Sequence, residues 1–494
     1  MKIKCSKSKT LAAFAFLLIG ISLCMLSLLV FYKINSNLDI SIFAVSWAGN
    51  FIILFYCVIY YKTYGNIFTP FNILALFMFL FNWGQCIMWS LGIHIEGEIG
   101  TTNLYSNYAI PSDKQILDGQ LFTIFMISFF LFGALLLQAV NNENSTKKIS
   151  NFIVEKNVLY QFSKIAAVIV IPLVFLRILQ TLYISYSYGY VALYYGENNI
   201  AGGILAQVEI FFFPVLVGLL LGSNYNKKTR RIVYAIFGLY MILYLMAGER
   251  GNWLYKLVLL IWLDHKYHKP INFKKLIKFS IISILAIYVI YAVVSLRSIA
   301  IKDIGISNIL EAFSPKNFPL VSAIFEMGSN MGIIIILLIE GSQIWSGYNT
   351  YLAAILGMPA TFWLKYFGID FTYLENWFSQ DILKISWGSG FSFVGEAFIN
   401  GGLKYAFIYI LILGIFISSI TKISDKDINN HNILRVAFKV TSCNAFMTMM
   451  RGSSHSSFKA WFLGVIVYLG IVKIIANLLK IKESRKKVKI VGNN

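Results

Sequence analysis

The sequence predicts an all-α protein that crosses a membrane many times, and its composition and its apolar runs both support this. Hydrophobic residues make up 58% of the 494-residue chain, and charged residues make up only 13%. A soluble domain carries about 25% charged residues, so this chain has too few polar groups to cover a surface that faces water. About twelve apolar runs approach or exceed the ~20 residues that a membrane-spanning helix needs. A soluble enzyme is therefore excluded.

The apolar runs divide the chain into three predicted parts. Residues 1–296 carry most of the predicted transmembrane helices with short loops, 297–401 form one large outer loop with interfacial helices, and 402–494 carry the last helices and a basic tail. The predicted spans lie at about 11–32, 40–60, 71–92, 120–140, 163–183, 201–222, 232–248, 252–264, 279–296, 402–421, 434–450 and 459–479.

The net charge of +20 has a topological explanation. Lys and Arg residues concentrate in alternate segments, which by the positive-inside rule lie in the cytoplasm. This places both termini in the cytoplasm, makes the lipid bilayer the main partner, and requires no nucleic acid. The basic segments are the first ten residues, 61–70, 141–164, 223–231, 265–278, 422–435 and 480–494.

Nucleotide and metal chemistry lack their usual sequence signals in this chain. The inner loops contain neither a G-x-x-x-x-G-K-[ST] phosphate loop nor a G-x-G-x-x-G fingerprint. The five cysteines form no CxxC pair and no Cys/His spacing typical of zinc. The sequence therefore predicts no cofactor and no metal.

The outer loop at 297–401 is where we expect the chemistry. It is far longer than an ordinary connection, and it is too rich in apolar and aromatic residues to be disordered. It contains two apolar stretches, 331–339, which is too short to cross a bilayer, and 351–367. If both crossed, the connection at 341–349 would be cytoplasmic without Lys or Arg, against the positive-inside rule. We predict that both form helices that lie in the membrane interface or against the bundle.

Three arginines stand beside apolar runs at the predicted outer face. Arg250 lies in MAGERGNW, Arg297 follows the ninth run, and Arg451 lies in MMRGSSHSS after the eleventh. An arginine in the membrane costs roughly 2.5–3.5 kcal/mol on insertion scales and marks a functional site by default. Because a guanidinium matches phosphate oxygens bidentately, we predict that these arginines bind a lipid-linked pyrophosphate. The alternative is that they snorkel to headgroups or pair with Glu249 or Glu396.

Polar residues with helical spacing precede the tenth run. Ser392, Glu396 and Asn400 recur at i, i+4 and i+8 in GSGFSFVGEAFINGG, a spacing that puts them on one helical face. Glu396 is a candidate general base for a sugar hydroxyl, and His455 is the second candidate. The alternative is a polar helix start and a surface histidine.

A tyrosine-rich segment at 183–196 reads YISYSYGYVALYYG. Flat rings with a hydroxyl at the edge suit the CH-rich faces of sugars, which makes Tyr188, Tyr190 and Tyr194 candidate stacking residues. The competing interpretation is an aromatic belt at the membrane interface, where Tyr is enriched anyway.

The whole chain resembles the O-antigen polymerases of the Wzy type. The resemblance rests on the number of spans, the inner termini, the large outer loop late in the chain and two short motifs. These motifs are the Gly-x-Arg-Gly element at 248–251 and the G-x-S-x-x-x-E-x-x-x-N-x-G element at 390–402.

The resemblance implies a GT-C-like glycosyltransferase of the bacterial inner membrane. Such an enzyme polymerises undecaprenyl-pyrophosphate-linked oligosaccharide repeat units into O-antigen or a capsule-like polysaccharide, and a chain-length regulator protein is an implied partner. The three arginines would then stabilise charge on the departing pyrophosphate. Glu396 or His455 would deprotonate the acceptor, while the substrate-orienting residues would be Ser392, Asn400 and Glu249.

Two other membrane activities share these features. A flippase or transporter of lipid-linked oligosaccharide would also contain many spans and buried arginines, but its two halves should be related and its site should lie near mid-membrane. In this chain the large outer loop is confined to the second half, which favours surface chemistry. An O-antigen ligase uses the same donor, and spans and loops barely separate it from a polymerase.

Overall fold

The computed structural model of the protein is almost entirely helical, as the apolar runs predict. The chain separates into a first unit, made of Met1–Glu143, Pro315–Lys422 and Phe446–Phe458, and a second unit, made of the remaining segments. The structure describes residues 3–5, 7–33, 38–105, 107–138, 140–142, 149–189, 192–193, 203–249, 251–271, 301–303, 305–308, 319–385, 388–423, 427–428 and 432–491, and isolated positions between 277 and 296.

Four long helices open the first unit, and two of them form its centre. Among the residues of their apolar windows, 78% are buried in α3 and 72% in α4, against 22% in α1 and 33% in α2. The outer pair therefore turns much of its apolar surface away from the protein, as lipid-facing helices do. The elements are β1 Ile3–Cys5, α1 Lys7–Lys33, α2 Leu38–Tyr64, α3 Pro70–Ser90, α4 Asp113–Gln138 and β2 Val140–Asn142, with β1 and β2 antiparallel.

The later part of the first unit packs on α3 and α4. It consists of α10 Pro319–Met327, α11 Asn330–Glu340, α12 Thr350–Leu356, a 3₁₀ helix Thr361–Phe367, α13 Leu374–Trp377 and α14 Phe393–Thr421. Glycines allow direct backbone contact between α3 and α10, because a Cβ on Gly328 would stand 2.3 Å from the Gln85 amide nitrogen. Small residues at such contacts let membrane helices approach closely.

Helix α14 reverses direction at Gly402, which forms a helical hairpin. The Phe130 ring lies 5.8 Å from the Phe393 ring, and a Cβ on Gly414 would stand 2.2 Å from the Phe130 carbonyl oxygen. A straight helix would separate residues 393 and 414 by about 31 Å at 1.5 Å per residue, so they could not both contact one residue. Gly402 has φ 58° and ψ −166°, a conformation that is open essentially to glycine alone.

The second unit is built around α5, against which α7 and α17 pack. A Cβ on Gly222 would stand 2.8 Å from the Tyr160 Cα, and Lys480 pairs with Glu155 at 2.8 Å. Its helices are α5 Ile149–Tyr188, α6 Ile204–Glu209, α7 Phe212–Gly222, α8 Lys227–Met246, α9 Gly251–Tyr267, most of α15 Ile433–Met447, a π-helix Phe462–Val467 and α17 Tyr468–Val491. Helix α16 Ser454–Trp461 begins in the first unit, which extends to Phe458.

Ten helices in the described part of the chain are long and apolar enough to cross a membrane, which confirms the polytopic all-α prediction. All but one of them match predicted spans. The exception, Leu320–Glu340, corrects our expectation that the 331–339 run is too short, because α10 and α11 extend this run toward its N-terminal side. The predicted spans 252–264 and 434–450 form helices of 17 and 15 residues, and most of 279–296 lies outside the described residues.

Candidate active site

A turn between α15 and α16 carries the residues around which the candidate site is built. Thr448–Arg451 forms a 3₁₀ helix, Gly452 is extended with φ −151° and ψ −160°, and α16 begins at Ser454. We name residues 451–455 the RGSSH turn. The first amides of a helix have no partner within that helix, so this turn offers its backbone donors to other groups.

Glu396, on the first arm of α14, is the acceptor for this turn. Its side chain is buried, with 1% exposure. Oε2 accepts a hydrogen bond from the Ser454 amide at 2.7 Å, and Oε1 accepts from the Ser454 hydroxyl at 2.6 Å and the Thr350 hydroxyl at 2.7 Å. Both carboxylate oxygens are thus occupied by protein donors, and Glu396 fastens the RGSSH turn to α12 and α14.

Asn400, one helical turn further along, completes the same cluster. Its Nδ2 donates to the Thr350 hydroxyl at 2.7 Å and to the Glu396 carbonyl at 2.7 Å, while its Oδ1 accepts from the Thr350 amide at 2.9 Å. The i, i+4 spacing of Glu396 and Asn400 therefore does bring both side chains to a common partner.

Ser392 lies at the start of the helix that carries Glu396 and Asn400. It is the N-cap of α14, where its hydroxyl accepts from the Val394 amide at 3.2 Å. The same hydroxyl donates to Asn82 Oδ1 at 3.0 Å, and Asn82 Nδ2 donates to the Met450 carbonyl at 3.2 Å. Ser392 thus caps the helix of Glu396 and Asn400, and it is linked through Asn82 to the segment before Arg451.

His455 is buried, with 4% exposure, and lies among aromatic rings. The Phe371 ring centroid is 4.1 Å from the imidazole centroid and that of Tyr373 is 5.5 Å away. Nε2 lies 3.3 Å from the Thr361 hydroxyl. The sequence-based alternative of a surface histidine does not describe this environment.

Arg451 is half-buried beside the ring of Phe81, with 5.9 Å between the guanidinium carbon and the ring centroid. Within the described part of the chain, its guanidinium forms no ion pair with a carboxylate. Burial raises the pKa of the nearby Tyr105 phenol to about 12, and the charge of Arg451 opposes this shift. Tyr105 therefore stays protonated near neutral pH.

Glu375, on α13, is a second carboxylate at the RGSSH turn that sequence reasoning missed. It is half-buried, and its Oε1 accepts a hydrogen bond from the Ser453 amide at 2.7 Å. It is close enough to Glu396 for the two charges to interact. The hydroxyl of Ser453 is buried and has no hydrogen-bond partner among the described residues. Two carboxylates therefore approach consecutive amides of one turn.

Glu249 lies in the second unit, next to a partly buried ion pair. Arg177 pairs with Glu209, and the hydroxyls of Tyr240 and Tyr244 donate to Glu209 at 2.7 and 2.9 Å. Glu249 is near enough to interact with the charge of Arg177. Charged groups within membrane-spanning helices are costly unless they are paired or functional. Glu249 is the second residue of the Gly-x-Arg-Gly motif at 248–251, so this motif borders a polar network.

The remaining predicted residues are only partly described. Tyr188 ends α5 with 59% of its surface exposed, as both the sugar-contact and the interfacial interpretations require. Arg250, Arg297, Tyr190 and Tyr194 lie outside the described residues. Their roles stay predictions.

Three further residues of the site were missed because their contacts are distant in sequence. Thr350 bonds Glu396 across 46 positions, Ser454 across 58, and Glu375 bonds Ser453 across 78. A local signal existed for Thr350, since Asn349 precedes it as an N-cap and accepts a hydrogen bond from the Leu352 amide. A local signal for Glu375 is lacking in the sequence.

Comparison with protein families identifies a match over residues 13–482 to the family described as O-antigen polysaccharide polymerase Wzy. The chain belongs to this family. Neither a curated protein nor a solved structure matches it. The match covers both units and every described residue of the candidate site.

Membership of the Wzy family confirms the resemblance noted in the sequence. Proteins of this family polymerise oligosaccharide repeat units into O-antigen, and they act on lipid-linked repeat units in the membrane. The protein is therefore a membrane polymerase with glycosyltransferase-type activity and a multi-pass protein of the bacterial inner membrane.

Proposed function

We propose that this Wzy protein transfers a growing glycan from undecaprenyl pyrophosphate to a hydroxyl of a second undecaprenyl-pyrophosphate-linked repeat unit. The bond between the anomeric carbon and the pyrophosphate oxygen breaks, a glycosidic bond forms, and a base accepts the hydroxyl proton. The reaction takes place at the outer face of the inner membrane, with both protein termini in the cytoplasm. The donor carries its own leaving group, so the transfer requires no nucleotide.

The position of Arg451 is the structural observation that supports this proposal most strongly. It is a half-buried cation without a carboxylate partner among the residues that the structure describes, and its turn is held by two glutamates. A departing pyrophosphate develops negative charge, and a fixed guanidinium stabilises that charge most strongly where water is excluded. We therefore assign pyrophosphate binding to Arg451, with Arg250 and Arg297 as the further predicted ligands.

Glu396 and His455 are the proton acceptors that the sequence proposes. Both are enclosed in the structure, because Glu396 accepts three hydrogen bonds from protein donors and the imidazole of His455 packs on Phe371 and Tyr373. A base role for either requires that a protein donor or ring moves aside for the acceptor sugar. Glu396 also holds the RGSSH turn, and this supports a role in positioning Arg451.

The other proposed roles concern substrate orientation and partners. Ser392 bonds Asn82, and Asn400 bonds Thr350. We propose that both residues orient the substrate indirectly, by holding Asn82 and Thr350 in place. We further propose that Glu249 and the stacking residues Tyr188, Tyr190 and Tyr194 contact the oligosaccharide. A chain-length regulator protein is the proposed protein partner.

Polymerisation in detergent tests the proposal. The purified protein, mixed with lipid-linked repeat units and no nucleotide, should produce a ladder of longer lipid-linked chains. Loss of one preorganised donor to a developing charge costs about 10²- to 10³-fold in rate, so Arg451→Ala should slow ladder formation by that factor. Arg451→Lys should recover part of the rate, since it keeps the charge but not the bidentate geometry.

Arg231→Ala is the matched control, because Arg231 is an exposed arginine in the first turn of α8. It should polymerise like the unaltered protein. A requirement for added nucleotide would contradict the proposed reaction. Normal ladders from Arg451→Ala would remove Arg451 from the pyrophosphate site.

A further inference from the structure

We propose that Glu375 is the general base that accepts the proton of the acceptor hydroxyl; this inference rests on the proposed function. Glu375 lies in the first turn of α13, Leu374–Trp377, inside the predicted outer loop. Its partner is the RGSSH turn, which carries Arg451.

Glu375 differs from Glu396 in the number of hydrogen bonds that its carboxylate oxygens accept from the protein. Oε1 of Glu375 accepts one hydrogen bond, from the Ser453 amide at 2.7 Å, and Oε2 has no hydrogen-bond partner in the described part of the chain. Both oxygens of Glu396 are occupied by donors from Ser454 and Thr350. Glu375 is half-buried, whereas Glu396 is 1% exposed. A substrate hydroxyl can therefore reach Glu375 without breaking a protein hydrogen bond.

Ser453 provides an independent sign that a ligand belongs beside Glu375. The residue is 4% exposed, and its hydroxyl is buried without a hydrogen-bond partner among the residues described. An unsatisfied buried polar group costs about 1–3 kcal/mol, so native structures normally provide a partner for it. The amide of Ser453 binds Glu375, and covalent geometry keeps the hydroxyl of the same residue within a few ångströms. A sugar hydroxyl at this place would satisfy Ser453 and meet Glu375.

The surroundings of Glu375 suit a sugar. Tyr373 and Trp377 flank it in sequence, and the Trp377 ring packs on Trp345 with centroids 4.9 Å apart. Tyr373 is 37% exposed, and its ring lies 5.5 Å from the imidazole of His455 in the RGSSH turn, measured between ring centroids. The segment around Glu375 and the RGSSH turn thus offers an aromatic surface for sugar CH groups as well as a proton acceptor.

Glu396 and Glu375 have different roles in this mechanism. Glu396 holds the RGSSH turn as a positioning residue, and Glu375 takes the proton. The acceptor oxygen forms the bond to the anomeric carbon, and the electron pair of the breaking bond leaves with undecaprenyl pyrophosphate, whose charge Arg451 stabilises. The proton then passes from Glu375 to water, which restores the carboxylate.

The test compares Glu375→Gln and Glu375→Ala in the detergent assay with lipid-linked repeat units. The amide oxygen of Glu375→Gln can still accept from the Ser453 amide, so this variant keeps the local contact and loses the base. A general base contributes about 10²- to 10⁴-fold, and we expect kcat to fall by that factor with little change in KM. Sodium formate should restore part of the rate of Glu375→Ala, because formate supplies a small carboxylate in the space left by the side chain.

Glu340→Gln is the matched control, since Glu340 is an exposed glutamate that accepts one hydrogen bond, from the Tyr108 hydroxyl at 2.9 Å. It should retain the activity of the unaltered protein. Active Glu375→Gln, or a Glu375→Ala variant that folds but is not rescued by formate, would overturn the inference while the polymerase assignment stands. Absence of polymerisation by the unaltered protein would instead contradict the proposed function.

Discussion

Removal of the Glu396 carboxylate should destabilise the RGSSH turn, and its hydrogen bonds indicate the loss in the free energy of unfolding. Glu396→Ala leaves three buried donors without their acceptor: the amide and hydroxyl of Ser454 and the hydroxyl of Thr350. An unsatisfied buried group costs about 1–3 kcal/mol, so even the low end of that range sums to about 3 kcal/mol. Relief of the burial cost of the carboxylate offsets part of this loss. We expect a net destabilisation of about 2–3 kcal/mol.

Glu396→Gln separates this structural role from charge. Its amide oxygen can accept from the Ser454 amide, and both hydroxyls can rotate to accept from its NH₂ group, so the loss should be only about 1 kcal/mol. Heat unfolding in detergent, followed by tryptophan fluorescence, should rank the unaltered protein and Glu396→Gln above Glu396→Ala. Equal unfolding midpoints for Glu396→Ala and the unaltered protein would refute the reasoning. An inactive but stable Glu396→Gln would favour Glu396 over Glu375 as the base.

Two further predictions concern the hairpin and the second unit. Gly402→Ala should destabilise the protein by about 1–3 kcal/mol, because the φ and ψ of Gly402 are essentially limited to glycine. Gly238→Ala is the control, since a Cβ there meets no atom within 4 Å. Equal unfolding midpoints for the two variants would contradict the reversal in α14. Glu209→Gln should destabilise the protein by about 3 kcal/mol, the low end of the cost of breaking a buried pair, because Arg177 is only partly buried and keeps the nearby charge of Glu249. Combining it with Arg177→Met should restore much of the stability, and additive losses in the unfolding assay would argue against a coupled pair.

Sequence reasoning was most successful where a single physical requirement acts on a local stretch. A long apolar run must satisfy its own backbone hydrogen bonds in lipid, and a helix does so within the run. The helices at 38–64 and 70–90 therefore follow the predicted spans to within a few residues. Arg451 was also selected as a candidate on a local signal, since it is a charge that directly follows an apolar run.

Sequence reasoning failed where the chain reverses direction, or where one helix ends and the next begins, inside an apolar stretch. The 331–339 run was too short by itself, but α10 and α11 together reach from Leu320 to Glu340. The helical spacing of Ser392, Glu396 and Asn400 gave no sign that the chain turns back at Gly402. Hydrophobicity does not record where a helix starts or which glycine reverses it.

The sequence by itself determined that this chain is a polytopic, all-helical membrane protein, and its motifs supported the resemblance to Wzy polymerases that the family match confirms. Tertiary structure alone decided which groups meet at the candidate site. Glu396 and Glu375 approach consecutive amides of one turn, although they precede that turn by 58 and 78 residues. Local propensity and apolar periodicity act over one or a few helical turns, whereas these contacts depend on how the hairpin of α14 and the RGSSH turn pack together.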